Sequence, residues 1–274
     1  MKILLISYFG FLFLASCSRP APAPVPKAVP VLEPTVTLEA SPEAQPKVEP
    51  APLHSLKART INTGGTELTI VSFDRRIYRL VVEDQPSGPG SQYDDAKDAG
   101  SSHLAAINGG FFTPTGSPLG LVVTEGTRRG GINRASFLGT GFFLGPEAEL
   151  TSRIEYLASP PRRKEVLQSG PRLVWAGETL TGLSNKEERP RSFLLWDGRE
   201  HFALGYADSA SLKGLSNILS GQPISGFNIA YALNLDGGRS SDLWVSSSVS
   251  GGELTRRSFF NKDVRNYLVL KKRQ

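Results

Sequence analysis

The stretch Ala230-Tyr231-Ala232-Leu233-Asn234-Leu235-Asp236-Gly237-Gly238-Arg239-Ser240-Ser241-Asp242-Leu243-Trp244-Val245 decides how the chain is read. An apolar run carries Asn234 and Asp236 on alternate positions and stops at Gly237-Gly238. In a strand, side chains two apart share a face, so Asn234 and Asp236 point one way while Leu233 and Leu235 point the other. A polar pair followed by glycines brings backbone donors close to a ligand. Asp-Gly between apolar runs is also a strong hairpin signal, and the stretch alone leaves both readings open.

Upstream, His103-Leu104-Ala105-Ala106-Ile107-Asn108-Gly109-Gly110-Phe111-Phe112 repeats the pattern of an apolar strand ending in a polar residue and paired glycines. Two such strand ends are expected to converge on one pocket, because active sites favour strand ends and the loops beyond them. A tight turn at Asn108-Gly109, with both phenylalanines entering the core, is the alternative. Between the two stretches, Gln168-Ser169-Gly170-Pro171-Arg172-Leu173-Val174-Trp175 runs a glycine-proline turn onto an apolar strand. In Arg189-Pro190-Arg191-Ser192, Arg191 stands at a strand start behind a rigid proline. There its planar fork suits phosphate or carboxylate, and a solvated strand-end charge is the plain alternative.

The surrounding pattern is mostly strand. Glu67–Asp74 and Ile77–Glu83 read as a hairpin through Asp74-Arg75-Arg76, and Phe193–Trp196 hairpins through Asp197-Gly198 into Glu200–Tyr206. Leu121–Glu125, Ser136–Leu144, Ile154–Leu157, Ser258–Asn261 and Val264–Leu270 are further strands. Tyr93–Ala99 reads as a short helix, and Ser211–Leu219 as a longer one from the helical spacing of Leu212, Leu215, Ile218 and Leu219.

The chain has 274 residues, 39% hydrophobic and 21% charged, with a net charge of +5, which fits one or two globular domains. The basic residues are scattered, and the closing Lys271-Lys272-Arg273 is too short for a nucleic-acid-binding arm, so no nucleic-acid partner is expected. At the front, Lys2 and the apolar run Ile3–Leu14 lead into Leu14-Ala15-Ser16-Cys17, with the single cysteine of the chain at the cleavage position. This resembles the lipobox of bacterial lipoproteins, which implies a signal peptide over 1–16 and a lipid anchor on Cys17. Ser18 in place of Asp favours the outer membrane, facing the periplasm or the cell surface. Residues 17–52 are proline-rich and lack aromatics, a semi-rigid linker reaching on the order of 100 Å when extended. The folded domain is expected over 53–274.

Taken together, Asn108-Gly109-Gly110-Phe111-Phe112, Gly170-Pro171-Arg172-Leu173-Val174, Pro190-Arg191-Ser192, Asn234-Leu235-Asp236-Gly237-Gly238 and Arg265-Asn266 resemble, in this order, the motifs of the phosphodiester glycosidase family. That family includes the lysosomal uncovering enzyme, which removes N-acetylglucosamine from a sugar phosphodiester, and bacterial relatives labelled exopolysaccharide-related. The resemblance covers roughly residues 68–270. It departs at Arg239, where the family commonly has a third glycine, and at Ser192, where it has threonine.

The resemblance implies a single catalytic α+β domain, a bent and mostly antiparallel sheet packed on a few helices, that hydrolyses the bond between an anomeric carbon and a phosphate diester. Asp236 is then the principal catalytic carboxylate, as base, nucleophile or metal ligand, and Arg191 holds the phosphate. Amides around Gly109-Gly110 and Gly237-Gly238 form anion nests. Asn108 and Asn234 orient sugar hydroxyls or water, with Gly170, Arg239, Ser240 and Arg265 beside the substrate. A second carboxylate has Glu188, Asp208 and Asp242 as candidates by position.

Other chemistries fit less well. His54, His103 and His201 lack metal-ligand spacing, Ser240 and Ser241 lack a nucleophile elbow, and no phosphate loop or dinucleotide fingerprint is present. No nucleotide cofactor is indicated, and a hard divalent cation such as calcium, on Asp236 and carbonyl oxygens, stays open. The alternative from another class is a non-catalytic lipoprotein that binds envelope polysaccharide. The presence of both Asp236 and Arg191 favours the enzyme.

Overall fold

The computed structural model describes residues 56–85, 92–224, 226–258 and 260–273. The leader, the anchor on Cys17 and the linker expected over 1–52 lie outside the described residues. In chain order the strands are β1 (Lys57–Thr63), β2 (Thr66–Asp74), β3 (Tyr78–Asp84), β4 (Ala105–Asn108), β5 (Val122–Thr124), β6 (Thr127–Arg129), β7 (Gly141–Gly145), β8 (Glu149–Ser152) and β9 (Glu165–Ser169). They continue with β10 (Arg172–Trp175), β11 (Glu178–Thr179), β12 (Arg189–Trp196), β13 (His201–Ala210), β14 (Tyr231–Asn234), β15 (Asp242–Val245), β16 (Leu254–Arg257) and β17 (Asn266–Lys272). The helices are α1 (Ala96–Gly100), α2 (Arg153–Ala158) and α3 (Leu212–Gly221).

These strands form three sheets, ordered β1-β2-β13-β12-β14-β10-β11, β16-β15-β4-β17-β3 and β6-β5-β9-β7-β8, and the pairings are antiparallel. One core is shared by all three: Phe73, Leu194 and Phe202 from the first sheet meet Ile107 and Leu268 from the second and Phe143 and Leu167 from the third. β12 shows how the alternation works, with Leu194 facing this shared core while Phe193 and Leu195 face a second one under Leu215 and Leu219 of α3. α1 covers the outer face of the second sheet, with Ala96 and Ala99 against Ala106, Trp244 and Val269.

The α+β expectation is corrected in its helical part. The chain builds a mostly antiparallel β fold of three sheets, and α3, at ten residues, is the longest described helix. The reason is the apolar period, which is two almost everywhere and helical only along Leu212–Leu219. Ser211 caps α3 by accepting the Gly214 N–H.

Three local expectations also change. β2 and β3 are not a hairpin: β2 pairs with β1 and β13, and β3 pairs with β17 in another sheet. The hairpin partner of β2 is β1, joined through Gly64 and Gly65, both at positive φ as a two-residue hairpin turn requires. Ile154–Leu157 is helical in α2, because Ser152 and Glu155 form a capping box and Ile154 faces solvent. The strand expected at Ser258–Asn261 lies earlier, at β16.

Candidate active site

The polar strand ends meet where the three sheets come together. β14 stops at Asn234, and the chain continues through Leu235 and Asp236 into a 3-10 turn at Gly238–Ser240. Leu235 N–H donates to Ser192 O at 2.8 Å, which ties this exit to β12. Asp236 N–H donates to Gly109 O at 3.0 Å, which ties it to the end of β4. Ser169, the last residue of β9, donates its hydroxyl to Asn234 O at 3.0 Å and so attaches the third sheet. The Asp-Gly step is therefore an exit into a built loop and not a hairpin turn.

Asn108 and Asn234 hold this frame from inside. Asn108 is fully buried; its Nδ2 donates to Asp236 O at 2.7 Å and its Oδ1 accepts from Asp242 N–H at 3.0 Å. Asn234 Nδ2 donates to Gly170 O at 3.0 Å and to Leu235 O. The glycines of Gly109-Gly110 serve a close approach: a Cβ on Gly109 would stand 2.0 Å from Asn266 Oδ1. Gly109 N–H donates to Asn266 O at 2.8 Å and Gly110 N–H to Asn266 Oδ1 at 2.8 Å. Those two amides are thus already committed, where the sequence pointed to an anion nest. Gly170 is equally confined, its missing Cβ lying 2.9 Å from Phe137 O and Thr140 N.

Asp236 is 9% exposed, and burial raises its pKa above the ordinary carboxylate value. The Ser240 hydroxyl, the Lys262 charge and the Gly237 N–H act against that rise, although Ser240 Oγ makes no hydrogen bond of good geometry. Lys262 Nζ lies 4.5 Å over the Phe112 ring. Arg191 approaches the same loop: its Nη1 is 3.4 Å from where a Gly237 Cβ would be. Its Nε and Nη2 donate to Ala210 O and Glu187 O, each at 3.0 Å. Burial lowers the Arg191 pKa, with the Arg189 charge acting the same way and the Glu187 charge opposing; among the described residues Glu187 forms its ion pair with Arg189, and Arg191 makes none.

Several buried polar atoms around this frame lack a partner: Ser192 Oγ, Asn234 Oδ1, Ser241 Oγ, Asp242 Oδ1 and Asn266 Nδ2. Buried polar groups are normally hydrogen-bonded, so such a concentration makes this strand-end junction the candidate site. Asp242 stands behind it, 1% exposed, with Oδ2 accepting from Ala96 N–H of α1 at 2.9 Å. Burial pushes its pKa up to about 6, against the Ala96 N–H and the Arg257 charge.

Other expected residues lie elsewhere. Arg265 is buried and engaged bidentately by Asp84, at 3.0 and 2.9 Å, so its charge is answered within the protein. Arg239 is exposed and donates from Nε to Phe260 O at 2.7 Å. Of the candidate second carboxylates, Asp208 accepts from Glu67 N–H at 3.0 Å, Glu188 is exposed, and Asp242 shares the Asn108 clamp. Asn266, Ser192, Ser169 and Lys262 join the site without having been singled out as site residues. Asn266 and Ser192 had a local signal, inside the Arg265-Asn266 and Pro190-Arg191-Ser192 motifs, and Ser169 stood beside the glycine-proline turn, whereas Lys262 had none. Among the described residues no three His, Cys, Asp or Glu side chains are placed to share a metal ion. Carbonyls near Asp236, namely Gly109 O, Gly170 O and Leu235 O, accept hydrogen bonds from the Asp236 N–H and from Asn234.

Residues 101–271 match the profile of a family described as Phosphodiester glycosidase, a span that contains the strand ends just described. The chain belongs to the phosphodiester glycosidase family. Among solved structures, the catalytic domain of zebrafish N-acetylglucosamine-1-phosphodiester alpha-N-acetylglucosaminidase, auto-inhibited by its pro-peptide, superposes with a TM-score of 0.53 at 17% identity, covering 80% of this chain and 83% of that one. A hypothetical protein from Synechocystis superposes with a TM-score of 0.52 at 17% identity, over 79% of this chain and 61% of that one. At these identities the likeness concerns the fold. No curated protein sequence matches the chain. This member of the phosphodiester glycosidase family thus carries the three-sheet junction, with Asp236 and Arg191 on its rim, inside the family-matched span.

Proposed function

We propose that the domain, residues 53–274, hydrolyses a glycosyl phosphodiester, cutting between the anomeric carbon of a sugar and its phosphate. The observation that carries this reading is the approach of Arg191, a desolvated cation without a carboxylate partner, to the loop that presents the buried Asp236. In this reading Arg191 holds the phosphate, whose oxyanion is already a fair leaving group. Asp236 accepts a proton from the attacking water; a carboxylate with a raised pKa is the better base near neutrality. Water adds to the anomeric carbon, the carbon–oxygen bond to phosphorus breaks, and the products are the free sugar and a phosphomonoester. Asn108 and Asn234 act as positioning residues, since their amides hold backbone. Lys262 adds positive charge near Asp236.

The signal peptide over 1–16, the lipid anchor on Cys17 and the linker over 17–52 would place this hydrolase in a bacterial envelope, acting on envelope or exopolysaccharide-related substrates. The Leu14-Ala15-Ser16-Cys17 motif supports that part of the proposal.

The test is hydrolysis of a panel of glycosyl phosphodiesters, nucleoside-diphosphate sugars included, by wild type, Asp236→Asn and Arg191→Ala. Turnover that falls by orders of magnitude in Asp236→Asn supports the reading. If nothing is cleaved while glycans still bind, and Asp236→Asn leaves that binding intact, the protein is a polysaccharide-binding module instead.

A further inference from the structure

The candidate site leaves unused the closing cations Lys271-Lys272-Arg273. Asn266 begins β17 at the junction and Lys271 stands near its other end, so at ~3.3 Å per residue the two are roughly 17 Å apart along the strand. There a cavity of about 470 Å³ opens between β17, the start of β3 and the segment that leads from α1 to β4. Its lining residues include Arg79, Lys271, Lys272 and Arg273, with His103, Ser102 and Ser248, and no acidic residue; Arg273 Nε donates to Arg75 O and Tyr78 O at 3.1 and 3.3 Å.

The arrangement is costly for an empty pocket. Arg79 and Lys271 are directly opposite in the β3–β17 register, and like charges facing each other across a sheet are unfavourable. Lys271 is answered by Glu83 at 2.6 Å. Arg79 has no acidic partner among the described residues, and its Nε is buried without an acceptor. Lys272 is exposed and makes no ion pair among the described residues. His103 reports the local field, its pKa lowered first by burial and then by the charges of Lys271 and Arg79, with Glu83 opposing.

We propose that this cavity is a second anion site, which binds a phosphate-bearing group away from the Asp236 centre. Arg79 lines the cavity with a guanidinium fork, whose geometry suits two phosphate oxygens, and Ser102 and Ser248 line the same wall, the Ser248 hydroxyl already hydrogen-bonded to Ser246 at 2.9 Å. The phosphate could come from a soluble phosphodiester or from a phospholipid headgroup, and the two are separable by experiment. The site stands independently of the hydrolytic reading, since it uses none of the same residues.

The experiment titrates the full chain, in detergent and as Asp236→Asn, with inorganic phosphate and with a soluble glycerophosphodiester, following the His103 imidazole by NMR. The expected result is saturable binding that raises the His103 pKa, weakened roughly tenfold or more by Arg79→Gln and less by the exposed Lys272→Gln. Sedimentation with phosphatidylglycerol vesicles, against neutral phosphatidylcholine ones, is the second arm. Arg79-dependent binding to the vesicles, with none to the soluble probes, would assign the headgroup as the source. The proposal is overturned if His103 responds to neither probe and vesicles do not bind, or if both variants, shown folded by their NMR spectra, bind phosphate as tightly as wild type. Because the readout is binding in an Asp236→Asn background, failure here is distinct from failure of hydrolysis.

Discussion

Asn108 holds the Asp236 carbonyl from a fully buried position, Nδ2 to O at 2.7 Å, while its Oδ1 takes the Asp242 N–H at 3.0 Å. One amide thus fixes both ends of the loop that carries the proposed catalytic carboxylate. Asn108→Ala leaves a carbonyl and an N–H without partners in a dry place, which costs about 2 kcal/mol or more. Urea unfolding should show a lower midpoint at unchanged slope, and turnover should fall with it, because Asp236 loses its support. Wild-type turnover in a destabilised Asn108→Ala protein would show that the loop keeps its geometry without the clamp.

Gly109 and Gly221 separate steric need from glycine content. A Cβ at Gly109 meets Asn266 Oδ1 at 2.0 Å, whereas one at Gly221, the last residue of α3, meets nothing within 4 Å. Gly109→Ala must push Asn266 away from the Gly110 N–H, a combined clash and lost bond worth about 2 kcal/mol or more. Gly221→Ala should be neutral or stabilising by up to ~1 kcal/mol, since alanine is the better helix former. Thermal unfolding of the two variants beside wild type is the measurement.

The same residues show what was legible in the sequence. The strand ends at Asn108 and Asn234 could be read because alternation and paired glycines are local signals. Why Gly109 must be glycine could not, because its reason is Asn266, which arrives from the far end of the chain. Sequence adjacency misled at β2 and β3, since nothing in Asp74-Arg75-Arg76 says that the chain changes sheets there. Ile154–Leu157 read as a strand, yet the capping box of Ser152 and Glu155 decided for helix. Arg265 looked like a substrate cation because its partner, Asp84, sits on another strand of the same sheet.

Arg191 and Arg265 should therefore respond oppositely to truncation. Arg265→Ala removes both short bonds to the buried Asp84 and leaves it only the more distant, exposed Arg129 at 3.9 Å; with its pKa already raised by burial, the loss should destabilise the fold by about 3 kcal/mol. Arg191→Ala removes a cation with no acidic partner and only backbone acceptors. It should cost less stability and much more turnover, most visibly as weaker binding of the phosphate-bearing substrate. Denaturation midpoints and kcat/KM on both variants decide it; equal losses in the two would return Arg191 to a structural role.

Asp242 gives the fold a pH dependence with a definite sign. Its pKa rises from the ordinary 3.8 to about 6 in the folded protein, chiefly through burial. Between those values the folded state binds more protons than the unfolded state, so stability falls as pH rises through that window. The charged carboxylate is then the unfavourable form, and the penalty is fully present above about pH 6. A shift of this size corresponds to on the order of 3 kcal/mol. Asp242→Asn keeps an oxygen for the Ala96 N–H and carries no charge, so it should flatten the stability profile between about pH 4 and 6 and match or exceed wild type at pH 7. Urea unfolding of both proteins across that range is the check. Because Asp74 and Glu155, whose pKa values are lowered by their hydrogen bonds, contribute with the opposite sign, the difference between the two proteins is what counts; a difference that does not grow with pH across that range would mean that Asp242 is stabilised as an anion, by Arg257 or by something bound at its unpartnered Oδ1.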